Sequence, residues 1–189
     1  RNGGSFVCAP VEVPQSLLLQ RLCEMSGPDL RDLGDEQIAI SGTAARLAAK
    51  RSSPEQHARI AQHIEALKQA GTRMARHRAD ARFHIEISAA AQSLRLTHAE
   101  MRLQSEVGEL LWLEAAGSGD VSVVEQEHRA ILQALVAGDA VLAGALAEAH
   151  VSRGIKRLVG LRLELLANAE ELAPACLPAG TDVAGVVIA

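Results

Sequence analysis

Helix-start signals recur along this chain, each followed by an apolar stripe of helical period, and that repetition directs the fold toward helices packed on helices. Ser53-Pro54-Glu55-Gln56 offers an N-cap hydroxyl, a proline at the first helical position, an acid in the first turn and a Gln placed to close a capping box. Ile60, Ile64 and Leu67 then follow on one face up to Gly71. Thr97-His98-Ala99-Glu100 reads as a second capping box, opening a helix through Leu103, Val107, Leu110 and Leu111, and Ser122-Val123-Val124-Glu125 reads as a third. The helix begun there carries Val124, His128, Ile131, Leu132 and Leu135 on one face. Gly138-Asp139 breaks it and caps the next, in which Leu142, Leu146 and His150 recur at intervals of four before Leu158 and Leu161.

The remaining segments follow the same grammar. From Gln15 a helical pattern begins with Leu17, Leu18, Leu22 and Met25, and a longer one spans about Pro28 to Lys50, where Gly34 and Gly42 weaken continuity. Another helix is expected from Thr72 to about Leu96 through Met74, Ala81, Ile85 and Ile87. Ala and Leu dominate, whereas aromatic residues make up only 2% with one Trp and no Tyr, a balance suited to close-packed helices rather than sheets. The expectation is an all-α antiparallel bundle of six or seven helices. With 189 residues and 48% hydrophobic content the chain is large enough to bury a real core.

Residues 1–14 are punctuated by Gly and Pro, and Ser5-Phe6-Val7-Cys8 reads as a short strand without its partner. Domain expectations are therefore a linker or hairpin remnant over 1–14, a helical domain over 15–172, and a tail over 173–189 that contains Pro174, Pro178 and the apolar run Val183 to Ile188. The chain opens at Arg1 without an initiator Met, so it is expected to be a fragment of something longer. Cys8, Cys23 and Cys176 are far apart and odd in number, which supports neither a disulfide framework nor a thiolate metal site and fits a reducing cytoplasm. No apolar run reaches the roughly 20 residues that span a bilayer. The formal net charge of −4 argues against this segment wrapping a polyanion by itself.

Four residues stand out chemically. Asp80 and His84 lie four apart on one expected helix, and His128 and His150 occupy the apolar stripes of two others. A lone imidazole in such a stripe is most often satisfied by a backbone carbonyl, and an Asp–His pair at this spacing is common at surfaces. Together they call for one explanation, because an unpartnered polar ring in a core is costly. A divalent metal gives one, with one nitrogen of each imidazole and a carboxylate oxygen meeting at a point; a hydrogen-bonded polar cluster gives another. His57, His63, His77 and His98 lie in polar surroundings and are expected at the surface, as is Arg129, whereas Arg153 falls three residues after His150 and can share its face.

These residues also form motifs. Asp80-Ala81-Arg82-Phe83-His84 fits D-x-x-F-H, Glu127-His128-Arg129-Ala130-Ile131 fits E-H-x-x-I, and Gly138-Asp139 with Ala149-His150 fits a G-D…H pattern. In this order they resemble the FCD effector-binding domain of FadR-type GntR transcription regulators, as does Ala44-Ala45-Arg46-Leu47-Ala48-Ala49, over about Leu17 to Leu166. Residues 1–7 resemble the last strand of a winged helix-turn-helix wing. The resemblance implies a cytoplasmic homodimer that binds DNA through a winged-helix domain absent from this chain. It also implies a non-enzymatic sensor with a divalent metal, zinc first and nickel or manganese next, on Asp80, His84, His128 and His150. A small organic acid effector would fill the two open positions, with Gln92 and Arg153 as its further contacts. The family usually carries Arg, Glu and Asn where this chain has Gln37, Ser41 and Gln92, so pocket charge is expected to differ. The alternative is a metal-dependent hydrolase or lyase, against which no additional acid or base stands at a helical offset beside the ligands, Glu127 being expected to point elsewhere. A structural metal in a dimerisation module is the third reading.

Overall fold

A computed structural model of the chain describes residues 13–113 and 121–172, with side chains described as far as 168. Among these the regular structure is helical: α1 (Gln15–Glu24), α2 (Gly27–Arg51), α3 (Pro54–Lys68), α4 (Arg73–Ala90), α5 (Leu94–Val107), α6 (Val121–Val136) and α7 (Ala140–Leu172), with a 3-10 turn at Leu110–Trp112. The all-α expectation and its seven helices hold for the described residues. The suggested wing strand, the loop at Gly117–Asp120 and the tail from 173 lie outside them. No helix among the described residues is long and apolar enough to cross a membrane.

The caps explain most boundaries. Ser26 closes a capping box with Asp29 at the start of α2, and Ser53 closes one with Gln56 at the start of α3, each followed by proline in the first turn. Gly138 takes φ +70°, a left-handed conformation natural to glycine, and Asp139 Oδ1 then accepts from the Leu142 amide to begin α7.

Two expected caps are corrected. The helix expected to continue to Leu96 stops at Ala90; the next residue but one, Gln92, is left-handed (φ +54°), and Ser93, not Thr97, caps α5 by accepting from the Leu96 amide. Thr97 is already inside the helix, its hydroxyl donating to the Ser93 carbonyl, and Glu100 is fully buried rather than folded back onto a helix start. Ser122 likewise falls within α6, which begins at Val121.

Gly34 and Gly42 do not interrupt α2. They lie where α7 presses on it: a Cβ at Gly34 would stand 2.9 Å from Ile155 Cγ2, and one at Gly42 would meet the Glu148 carboxylate. Gly144 of α7 faces Arg46 in the same way. These contacts run backward along one helix as they run forward along the other, so α2 and α7 are antiparallel neighbours, and theirs is the most extensive helix pairing in the molecule. Arg59 of α3 pairs with Glu86 of α4 at 2.7 Å while Leu67 meets Ala79, which makes that pair antiparallel too.

The interior divides into apolar clusters. One, around Ile60, Ile64, Phe83, Ile87, Ile131 and Leu135, packs against the small residues Ala44, Ala45 and Ala48 of α2. A second joins Leu18, Leu22 and Leu30 to Leu110, Val151, Ile155 and Leu158, and a third gathers Leu67, Ala79, Trp112 and Val124. Between them lies the polar site.

Candidate metal centre

α4 carries its polar residues inward. Asp80, His84 and Ser88 recur every four residues on one face and are all buried, against the rule that such a stripe is apolar. α6 adds His128, fully buried and stacked on the Phe83 ring at 3.6 Å between centroids, and α7 adds His150, 9% exposed. One ligand-type atom from each of Asp80, His84, His128 and His150 falls within 4.8 Å of all the others. Three helices thus bring together the four residues that the sequence singled out.

The atoms face one another. His128 Nε2 lies 3.3 Å from Asp80 Oδ1 and 3.2 Å from His150 Nε2, and His84 Nε2 lies 3.7 Å from the same carboxylate oxygen. In an octahedral shell with bonds of about 2.1 Å, adjacent donors stand about 3 Å apart and opposite donors about 4.2 Å, so this spacing fits one ion. The protonation states fit as well. Burial, with His150 and His84 nearby, holds His128 well below the ordinary imidazole value; burial also lowers His84, against the opposing pull of Asp80 and Glu100. Both rings are therefore neutral near pH 7 and keep a lone pair to donate. Asp80 Oδ1 is buried without a hydrogen-bond partner, as expected of an atom facing a cation, while its Oδ2 accepts from the Trp112 indole at 3.1 Å.

Glu127 corrects the sequence reading. It was expected to point away, yet its Oε2 accepts from His150 Nδ1 at 2.6 Å and its Oε1 from Arg153 Nε at 2.5 Å. Burial works to raise its pKa, but the bonds from His150 and Arg153 outweigh this and leave it below the usual carboxylate value. An ionised acceptor at Nδ1 fixes the His150 tautomer with Nε2 bare and turned to the cluster. The signal for this was the acid beside His128: about 100° further round α6, it reaches the ring on α7 that lies on that side.

The two residues expected to hold an acid are placed elsewhere. Gln92 is exposed two residues past the end of α4, and its amide donates to the Arg51 carbonyl at 2.9 Å. Arg153 is half-exposed and engaged with Glu127. A small pocket opens onto the cluster instead, lined by Gln37, Asp80, His84, Trp112, Val124, His150, Val151, Gly154 and Arg157. Arg157 follows Arg153 by one turn of α7. Behind His84, Glu100 is buried with neutral partners, taking a hydrogen bond from the Ser41 hydroxyl at 3.1 Å and from the Gln104 amide at 2.9 Å. Of the other histidines, His98 is exposed and His57 and His63 are half-buried, whereas His77 is more enclosed than expected, its Nε2 buried against Gly108.

The helical bundle thus brings a carboxylate and three imidazoles to the floor of a small pocket. Residues 35–153 match the FCD domain, and the chain belongs to that family. It is 34% identical over 187 residues to a Mycobacterium gastri protein named as the HTH-type transcriptional regulator RmpR, covering 97% of this chain and 68% of that one. It is 31% identical over 173 residues to an uncharacterised HTH-type transcriptional regulator of Mycobacterium tuberculosis, covering 84% of this chain and 66% of that one. The chain spans about two thirds of the length of each relative and is the FCD domain of a transcriptional regulator.

Proposed function

We propose that this domain senses a small carboxylic acid through a divalent metal held by Asp80, His84, His128 and His150. The observation that carries the reading is the convergence of four ligand atoms within 4.8 Å on helices α4, α6 and α7, beside a small pocket. Four protein donors leave two positions of an octahedral shell, and a bound ion would supply an electrophilic anchor for a carboxylate there. The pocket is small, which favours a short acid. Zinc is the first expectation from affinity and availability, with nickel and manganese next.

The names of the relatives support placing this domain in a regulator that binds DNA through a helix-turn-helix domain preceding it. In that reading residues 1–14 are the end of a wing and a linker, 15–172 the sensing domain and 173–189 a tail, and the protein is a cytoplasmic homodimer matching paired half-sites. Effector binding regulates DNA binding only if the acid prefers one arrangement of the dimer over another. Catalysis is the weaker reading: Glu127 is committed to His150 and Arg153, and Glu100 is buried among neutral partners behind His84.

A screen of short carboxylates by thermal shift, on metal-loaded and chelator-stripped protein, tests the proposal, alongside elemental analysis and light scattering. Acids should raise the melting temperature only when metal is present, without being consumed. Turnover would point to the hydrolase or lyase; equal stabilisation with and without metal would remove the ion as anchor.

A further inference from the structure

Gln37 lines the pocket together with Asp80, His84 and His150. It projects from α2, is 1% exposed, and its Oε1 is buried without a hydrogen-bond partner. A buried amide acceptor left unpaired costs free energy, so its neighbourhood is suited to a group that brings a donor. Of the rest of the lining, Leu111, Val124, Val151 and Gly154 are apolar, the Trp112 indole is already given to Asp80, and the Arg157 guanidinium makes no hydrogen bond to Gln37 Oε1.

We propose that Gln37 sets the ligand class, selecting a short acid that carries a hydroxyl beside its carboxylate over the same acid without one. This rests on the metal-anchored reading above. The carboxylate goes to the ion and toward Arg157, where the positive charge lies, and the hydroxyl donates to Gln37 Oε1. A second carboxylate at Gln37 would meet a neutral amide and apolar walls, without a countercharge, in a site that already holds the buried Glu100 behind His84. Sites built to pair a ligand hydroxyl discriminate strongly against the analogue lacking it, because their own polar group is then stranded.

The test is a thermodynamic cycle by titration calorimetry on metal-loaded protein, with glycolate against acetate and lactate against propionate as probes, in the wild type and in Gln37→Met, which keeps length and volume without polar atoms. The wild type should bind each hydroxy acid at least tenfold tighter than its partner, and the substitution should shrink that preference at least fivefold. A hydroxyl that chelates the ion instead would keep its advantage in Gln37→Met and overturn the assignment; so would a wild type that shows no preference, binds none of the four acids, or favours succinate over lactate. Should Gln37→Met not fold, Gln37→Leu serves the same cycle. Metal content, measured on the same samples, separates the two levels of argument: protein that takes up no ion sinks the metal reading, whereas loaded protein without the hydroxyl preference sinks this one alone.

Discussion

Replacing Glu127 by Ala removes the acceptor for His150 Nδ1–H without touching any of the four converging donors. The lost contact is short, 2.6 Å, and Glu127 is only 18% exposed, so solvent screens it incompletely. Without it nothing holds the imidazole in the tautomer that leaves Nε2 bare, and the ring gains freedom that metal binding must then remove. Losses of this kind cost about 10- to 100-fold in metal affinity, which is about 1.4–2.7 kcal/mol. The simultaneous loss of the Arg153 partner adds little, because that guanidinium is half-exposed. Competition for zinc against a chelating dye at pH 7.5 reads the change directly. Glu125→Ala is the matched control: that carboxylate lies on the same helix but bonds Arg129, and its removal should leave affinity within about threefold of the wild type. Glu127→Gln, whose amide oxygen still accepts, should fall between. If Glu127→Ala binds zinc as tightly as the control while His150→Ala does not, the carboxylate does not orient the ligand and the argument fails.

His128→Ala should abolish stoichiometric metal uptake by elemental analysis and erase the rise in melting temperature on adding zinc, since binding to the folded form is what stabilises it; full occupancy in this variant would exclude His128 as a donor. Metal-free protein should lose stability in acid: His84 and His128 titrate below their ordinary value of 6.5 when folded, so the unfolded chain binds more protons as pH falls through 6.5, and stability, constant above that value, declines below it. Two such groups give a slope of up to about 2.7 kcal/mol per pH unit in urea melts, and a flat profile from pH 7.5 to 5.5 would contradict it. Ser93→Ala should cost about 1 kcal/mol and Thr97→Ala less than half of that, in the same urea melts, because the cap of α5 is Ser93; the reverse order would restore the boundary first expected.

Helices were legible where a cap and an apolar stripe agreed, as at Ser53 with Ile60, Ile64 and Leu67, since both signals depend only on neighbours within two turns. The break between α4 and α5 was not. It turns on Gln92 adopting a left-handed conformation, for which that side chain has no special preference, and on Ser93, while the better-matched box at Thr97 is overridden by burial of Glu100 against Ser41 of α2. Local pattern cannot weigh a partner 59 residues away.

The site divides along the same line. His128 and His150 were legible because each is a polar residue in an apolar stripe, and Asp80 and His84 because they stand one helical turn apart; both are local properties of one helix. Glu127, Gln37, Trp112 and Arg157 acquire their roles from which helix lies beside which. Glu127 reaches His150 because α7 packs on that side of α6, and Gln37 reaches the pocket because Gly34 and Gly42 let α2 settle closely against α7. The same dependence separates Gln92, which the resemblance implies as an effector contact, from the cluster: α4 ends at Ala90 and the Gln92 amide donates to the Arg51 carbonyl. First contacts to a metal can thus be read from one helix at a time, whereas the residues that orient those contacts and choose the ligand depend on the packing between helices.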